Sequence, residues 1–431
     1  MKSLFTPFKK SALPEGIAET SWLHVIIRYC LFTIAFLIPV FPRYTGPFIF
    51  LMLLIWFIDR RFHISFPNRK IRNIYICVTA IYASYLIGLF YSDDLEKGFS
   101  EMLLRISLVL FPLIFLSASE ILPSIISTLK AFIAGCLLIS TILLIHALAV
   151  LIRSSENIFS YTDFTEFMNL NPIYFSLHLS FSIISLVWMI LFRKSSENKI
   201  LLIAAAIFFT LMIIIAASRQ EIIALSVAII ILVLSFYRCA AKTRLGMLAS
   251  LFFLLAYTGL ITVFSKTRER FAEIATEMIN ATPSEFPTSI STRIQAWKAS
   301  LELFSQNPLI GVGTGDTDDS LLKLYRMKNL SMCLRDRMNA HNQFLQTSIE
   351  TGMHGLLTLL LLLVTGFYIA ISTRDPLYFT FLTFFCLSII TESMLEQEKG
   401  VLFFSLFNSL FIANHVIKAN SEKADEQFES S

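Results

Sequence analysis

Three short stretches of this 431-residue chain hold residue types suited to anion binding and proton transfer. Arg219 lies in Ser218-Arg219-Gln220-Glu221, a polar break between two apolar runs. Arg293 lies in Thr292-Arg293-Ile294-Gln295-Ala296-Trp297, which continues into Asn307-Pro308-Leu309-Ile310-Gly311-Val312-Gly313-Thr314-Gly315. His341 lies in Ala340-His341-Asn342-Gln343-Phe344-Leu345-Gln346, followed by Glu350-Thr351-Gly352-Met353-His354-Gly355-Leu356. A guanidinium is planar and permanently charged and grips phosphate oxygens bidentately. An imidazole accepts protons near neutral pH. Arg219 and Arg293 are therefore candidates for holding an anion, and His341 for accepting or orienting a hydroxyl proton. Each has a structural alternative. Arg219 could snorkel from a helix end, Arg293 could be solvated, and His341 could cap a helix entering a membrane. Arg293 at a helix start is a mild misfit with the N-terminal dipole, which favours an anion-binding role.

Weaker candidates surround these three. Arg268 and Arg270 stand beside Glu269 and Glu273, where a solvated helix face is the default. Arg335 and Arg337 are close to His341 in sequence, with surface charge as the default. Arg105 could reach a cavity or pair with Glu101. Glu392, Glu396 and Glu398 form an acidic loop that solvation alone explains. His24, His63, His146, His178, His354 and His415 show no ligand spacing, and the six cysteines form neither a CxxC pair nor a disulfide framework. No metal or cofactor is expected. Gly311–Gly315 fails the dinucleotide spacing, and its glycines are expected to allow a tight turn between two helices. Asp316-Thr317-Asp318 looks like a metal-binding DxD but opens a helix, where acids suit the dipole.

What must position these residues is a membrane-embedded scaffold. The chain is 55% hydrophobic and only 15% charged, against about 25% charged in soluble domains, which excludes an ordinary cytosolic enzyme. A net charge of +4, unevenly spread, gives no reason to expect nucleic-acid binding. Twelve apolar runs read as spans: Trp22–Phe41, Tyr44–Ile58, Ile74–Tyr91, Met102–Leu116, Ala131–Ile152, Pro172–Phe192, Ile200–Ala217, Ile222–Tyr237, Met247–Phe264, Met353–Ile371, Leu377–Ile390 and Val401–Ile417. They are continuous rather than alternating, so helices and not a barrel are expected. Basic residues cluster in Met1–Ser21, Asp59–Asn73, Arg193–Lys199 and Arg238–Gly246. The positive-inside rule then puts both termini in the cytoplasm and Arg219, Arg293 and His341 outside.

The division that follows is a transmembrane region over 1–264, an external loop over 265–342, a second transmembrane region over 343–418 and a cytoplasmic tail over 419–431. Within the loop, helices are expected at Thr267–Ala281, at Thr292–Ser305 and from Thr317 through Tyr325.

In combination and order, Ser218-Arg219, the arginine–tryptophan helix, the Asn307–Gly315 turn and the His341-to-Leu356 block resemble the O-antigen ligase/polymerase family of bacterial membrane glycosyltransferases. The resemblance implies an all-α, GT-C-like polytopic fold of about twelve transmembrane helices with one large helical periplasmic loop, in the bacterial inner membrane. It implies a metal-independent, inverting transfer of a glycan from undecaprenyl diphosphate to an acceptor hydroxyl. In the ligase branch, which we favour, the acceptor is lipid A core. The alternatives are a polymerase acting on a second lipid-linked glycan, transfer to a protein hydroxyl, or a lipid-linked glycan transporter with no covalent chemistry. A transporter should place its ionisable residues at the bilayer midplane and show an internal repeat, and no repeat is visible.

Overall fold

The structure is a computed structural model describing residues 22–59, 66–193, 198–239, 243–263, 267–272 and 289–429. Among these residues the regular structure is entirely helical. In chain order the helices are α1 (Trp22–Val40), α2 (Gly46–Asp59), α3 (Arg69–Leu89), α4 (Leu95–Arg105), α5 (Ser107–Ser117), α6 (Ile125–Ser154), α7 (Tyr161–Glu166), α8 (Pro172–Phe192), α9 (Lys199–Ala216), α10 (Arg219–Cys239) and α11 (Thr243–Val263). They continue as α12 (Ser289–Gln306), α13 (Thr317–Met327), α14 (Ser331–Arg335), α15 (Gln343–Ser372), α16 (Pro376–Thr391) and α17 (Glu398–Glu429).

Each of the twelve apolar runs overlaps helix, and among the described residues eight helical segments are long and apolar enough to cross a membrane. Pro376–Thr391 is apolar but shorter. Two boundaries differ from the sequence reading. The fourth run lies across α4 and α5, which meet at Ile106. The last helix continues to Glu429 through the segment read as a tail. Of the expected loop helix Thr267–Ala281, residues 267–272 are helical and the remainder lies outside the described residues. The expected helices at Thr292–Ser305 and from Thr317 are α12 and α13.

Helix starts follow local chemistry. The side chains of Asn68, Asn171, Asn198, Asn342 and Asp375 each accept a backbone N–H from the first turn of the helix they open, with Pro172 and Pro376 at the first helical positions. Phenylalanine supplies much of the core. The rings of Phe132, Phe181, Phe381, Phe403 and Phe407, from α6, α8, α16 and α17, pack with centroids 4.7–6.4 Å apart. Most of these pairs are tilted or edge-on, the arrangement the ring quadrupole prefers.

The break in α15 ties the loop before it to this bundle. Gly352 has φ +69° and ψ −159°, and the helix is interrupted there. Interruption frees carbonyls, and the loop takes them: Val312 N–H donates to Ile349 O at 2.8 Å and Gly313 N–H to Glu350 O at 3.0 Å. In return Met353 N–H donates to Pro308 O at 2.8 Å. This exchange gives a physical reason for the Asn307–Gly315 turn and the Glu350-Thr351-Gly352 sequence to occur together. A Cβ on Gly352 would collide with the Leu309 carbonyl and lie 2.6 Å from Ile310 N. Gly352→Ala combines that collision with backbone angles essentially reserved for glycine, a cost of roughly 1–3 kcal/mol for the angles alone. The variant should melt several degrees lower in detergent and expose residues 308–313 to protease; unchanged melting and protection would contradict this account of the break.

Candidate active site

The polar break after α9 is a tight reversal. Ala217 adopts a left-handed φ of +47°, and α10 begins two residues later with Arg219 and Gln220. Arg219 is half-buried, donating through Nη1 to the Arg270 carbonyl and through Nη2 to Ser289 Oγ, each at 2.5 Å. It thereby fastens the segment 267–272 and the start of α12 to the start of α10. Gln220 Oε1 accepts from Arg293 Nη1 at 3.1 Å and from Thr391 Oγ1 at 2.9 Å. Two consecutive residues therefore link both candidate arginines to one corner.

On α12, Arg293 and Trp297 are four residues apart and share a helix face. Trp297 Nε1 donates to the His341 carbonyl at 3.2 Å. His341 itself has a left-handed φ of +44°, and its N–H donates to Asn339 Oδ1 at 2.9 Å. Such a backbone is uncommon outside glycine, though histidine and asparagine tolerate it better than most. It persists where surroundings over-determine it, which is frequent at active sites.

His341 and Arg293 meet on a single carboxylate oxygen. Glu392 Oε2 is 3.1 Å from His341 Nδ1 and 3.5 Å from Arg293 Nη2. The Glu392 side chain is only 6% exposed, whereas those of His341 and Arg293 are 23% and 24% exposed. The acid therefore sits behind two groups that remain accessible. Ser393 Oγ accepts from Asn342 N–H at 3.2 Å, holding the start of α15 against the turn after α16. Below Gln220 lies the fully buried Glu221, hydrogen-bonded by Gln220 Nε2 at 3.2 Å and Ser388 Oγ at 3.1 Å.

Arg105 belongs to a different cluster. It is fully buried, with Nη1 on Glu350 at 2.5 Å, Nη2 on Glu396 at 2.7 Å and on Glu101 at 3.3 Å, and Nε donating to the Leu395 carbonyl at 3.2 Å. Its guanidinium lies 4.1 Å from the Tyr85 ring centroid. Of its two anticipated roles, the one with Glu101 is seen, alongside two carboxylates from far along the chain. Burial pushes Glu396 up to about 7 against the opposing pull of Arg105.

The remaining candidates are distributed around the loop. Arg270 is half-buried, with its guanidinium 3.5 Å from the Tyr161 ring centroid. Arg268 is exposed and donates to the Thr262 carbonyl at 3.2 Å. Arg335 is exposed and paired with Asp336 at 2.8 Å, and Arg337 is exposed with a left-handed φ of +44°. Asp316, first acid of the DxD-like triplet, accepts the backbone N–H groups of Asp93 and Asp94 at 2.8 and 2.9 Å. Asp318 pairs with Lys97 at 2.8 Å. Both acids dock the loop onto α4.

Glu392, Gln220 and Glu221 are the participants that sequence reasoning passed over or discounted. The only signal for Glu392 was an acid next to the end of an apolar run, which solvation explains equally well. A family model described as Wzy_C, O-antigen ligase, matches residues 203–360, a range that contains Arg219, Arg293, His341 and Gly352 and ends before Glu392. No curated protein matches the chain. Its apolar helices mark the chain as a membrane protein, and over residues 203–360 it is similar to the O-antigen ligase family.

Proposed function

We propose that the chain is an O-antigen ligase, transferring a glycan from undecaprenyl diphosphate to a hydroxyl of lipid A core at the periplasmic face of the inner membrane. The observation that carries this reading is the meeting of Arg293 and His341 on one Glu392 oxygen, with Arg219 adjoining through Gln220. Arg219 and Arg293 would hold the diphosphate, whose negative charge grows as the glycosidic bond breaks. Nδ1–H of His341 donates to Glu392, which leaves Nε2 as the acceptor. The acceptor hydroxyl attacks the anomeric carbon, its proton passes to Nε2, and the bond to the diphosphate breaks with its electron pair leaving on undecaprenyl diphosphate. Arg293 holds the neutral Gln220 amide at 3.1 Å and Glu392 at 3.5 Å, so an incoming phosphate competes with only one long ionic contact. The transfer uses protein groups alone and inverts the anomeric centre by direct displacement.

Deletion of the gene tests the reading. It should leave lipid A core uncapped while long lipid-linked chains accumulate; accumulation of single lipid-linked units would instead assign a polymerase. Complementation with Arg293→Lys should fail to restore more than a small fraction of capped core, because lysine is a point charge without the planar fork. Wild-type capping by that variant would remove bidentate phosphate contact from the mechanism.

A further inference from the structure

At the end of the bundle remote from His341, a cavity of about 740 Å³ lies between α3, α15 and α17. Its lining on α15 begins at Val364, beyond the break at Gly352 and 11 residues past Met353, a rise of about 16 Å. The volume is within the roughly 300–1,000 Å³ typical of small-molecule sites. Its lining is graded. Lys70 and Asn73 stand at the rim near the start of α3, three residues apart and so on one face. Deeper in are Ile74, Cys77, Val364 and Ile412. From Lys70 to Cys77 is seven residues, a descent of about 10 Å. One leaflet of a hydrocarbon core is about 15 Å deep, so the groove follows an acyl chain through most of a leaflet. Tyr368, 65% exposed, forms part of its open wall towards the surroundings.

Charge selects the head that fits above this chain. Lys70 is exposed and lines the cavity, and Arg69 and Arg72, also exposed, flank it in sequence. The neighbouring acid, Asp375, is engaged: it accepts the N–H groups of Leu377 and Tyr378 at 2.9 and 3.1 Å and lies 3.4 Å from His415. The rim is left net basic, and Lys70 and the Asn73 amide are donors matched to phosphate oxygens.

We propose that this groove is a binding site for an anionic phospholipid of the leaflet opposite the His341 site, with its phosphate at Lys70 and Asn73 and one acyl chain between α3, α15 and α17. The site does not depend on the catalytic reading above. It would tie a lipid to the far end of α15, the helix whose other end begins beside His341.

The test is native mass spectrometry of the full chain in detergent, incubated with equal amounts of phosphatidylglycerol and phosphatidylcholine carrying the same acyl chains. Wild type should retain phosphatidylglycerol over phosphatidylcholine by roughly fivefold or more, the ratio expected from one engaged basic residue at about 1 kcal/mol. Lys70→Glu should abolish that preference, Thr365→Trp should reduce retention of both lipids by filling the groove, and Arg244→Glu, an exposed basic site that does not line it, should change neither. Equal retention of the two lipids by wild type overturns the proposal without reference to any variant. An equal drop in Arg244→Glu and Lys70→Glu overturns it as well, since the preference would then come from diffuse charge.

Discussion

Replacing His341 by Ala should lower the rate of glycan transfer by about 10²–10⁴, the usual contribution of a positioned general base, while the protein inserts normally and loses little of its melting temperature. The site explains why the loss should be confined to turnover. The imidazole is partly exposed, and losing its bond to Glu392 still leaves that acid with Arg293. What the fold requires of position 341 is its backbone: the carbonyl accepts from Trp297, and φ is +44°. Alanine is less comfortable there than histidine. His341→Asn supplies the control, because asparagine tolerates left-handed φ values well and carries no base. Both variants should be equally inactive, with the asparagine variant melting no lower than the alanine one. Transfer at wild-type rate by either would take the imidazole out of the chemistry. Activity in the asparagine variant alone would show that position 341 serves by its backbone.

Glu392 refines this expectation. A carboxylate fixing Nδ1–H determines which ring nitrogen faces outward, as in other sites where a base is oriented by a third group. Glu392→Gln keeps the shape and one acceptor oxygen but removes the charge that stabilises an imidazolium. It belongs with His341 in a single working unit, so the double variant should be scarcely worse than the worse single one.

The parts of this arrangement differ in how legible they were in the sequence, for physical reasons. The apolar runs were plain because a bilayer demands long stretches without charge. The reversal at Ser218 was plain because one helix from Ile200 to Tyr237 would overshoot the hydrocarbon. Arg219, Arg293 and His341 stood out because phosphate and proton chemistry call for those side chains and because their flanking residues follow a family pattern. Glu392 was obscured because an acid bordering a membrane segment needs no partner to be stable there. The break at Gly352 was hidden by apolar neighbours that suit an uninterrupted helix; only the pairing of its freed carbonyls with Val312 and Gly313 accounts for it. Arg105 was read from its local neighbour Glu101, because helical spacing shows partners three or four residues away. Glu350 and Glu396, 245 and 291 positions distant, become its partners only through the packing of α4 and α15 and the turn before α17.

That long-range cluster leads to the largest expected effect on stability. Arg105→Met should lower stability by roughly 3–5 kcal/mol, the usual consequence of removing one partner from a buried ion pair. Methionine fills much of the same space, so the loss would come from charge and not from a cavity. Without the guanidinium, Glu350 and Glu396 would face each other across a dry interior with no cation between them. The pH dependence gives the check. Glu396 is already raised to about 7, with Arg105 the group holding it down; the substitution raises it further. A carboxyl that keeps its proton in the folded protein but loses it in the unfolded chain, where carboxyls titrate near 4.3, favours unfolding as pH rises. The deficit of Arg105→Met relative to wild type should therefore widen between pH 6 and pH 8, as wild-type Glu396 loses its proton near pH 7 and the variant's keeps it, read as the apparent Tm in detergent at each pH, and be narrower and flat in acid. Adding Glu350→Gln, which removes one of the stranded charges, should restore part of the loss at pH 8. A flat deficit across that range, with no rescue when Glu350→Gln is added, would mean that Arg105 acts through shape and its packing on Tyr85 rather than by neutralising the acids that join the core helices.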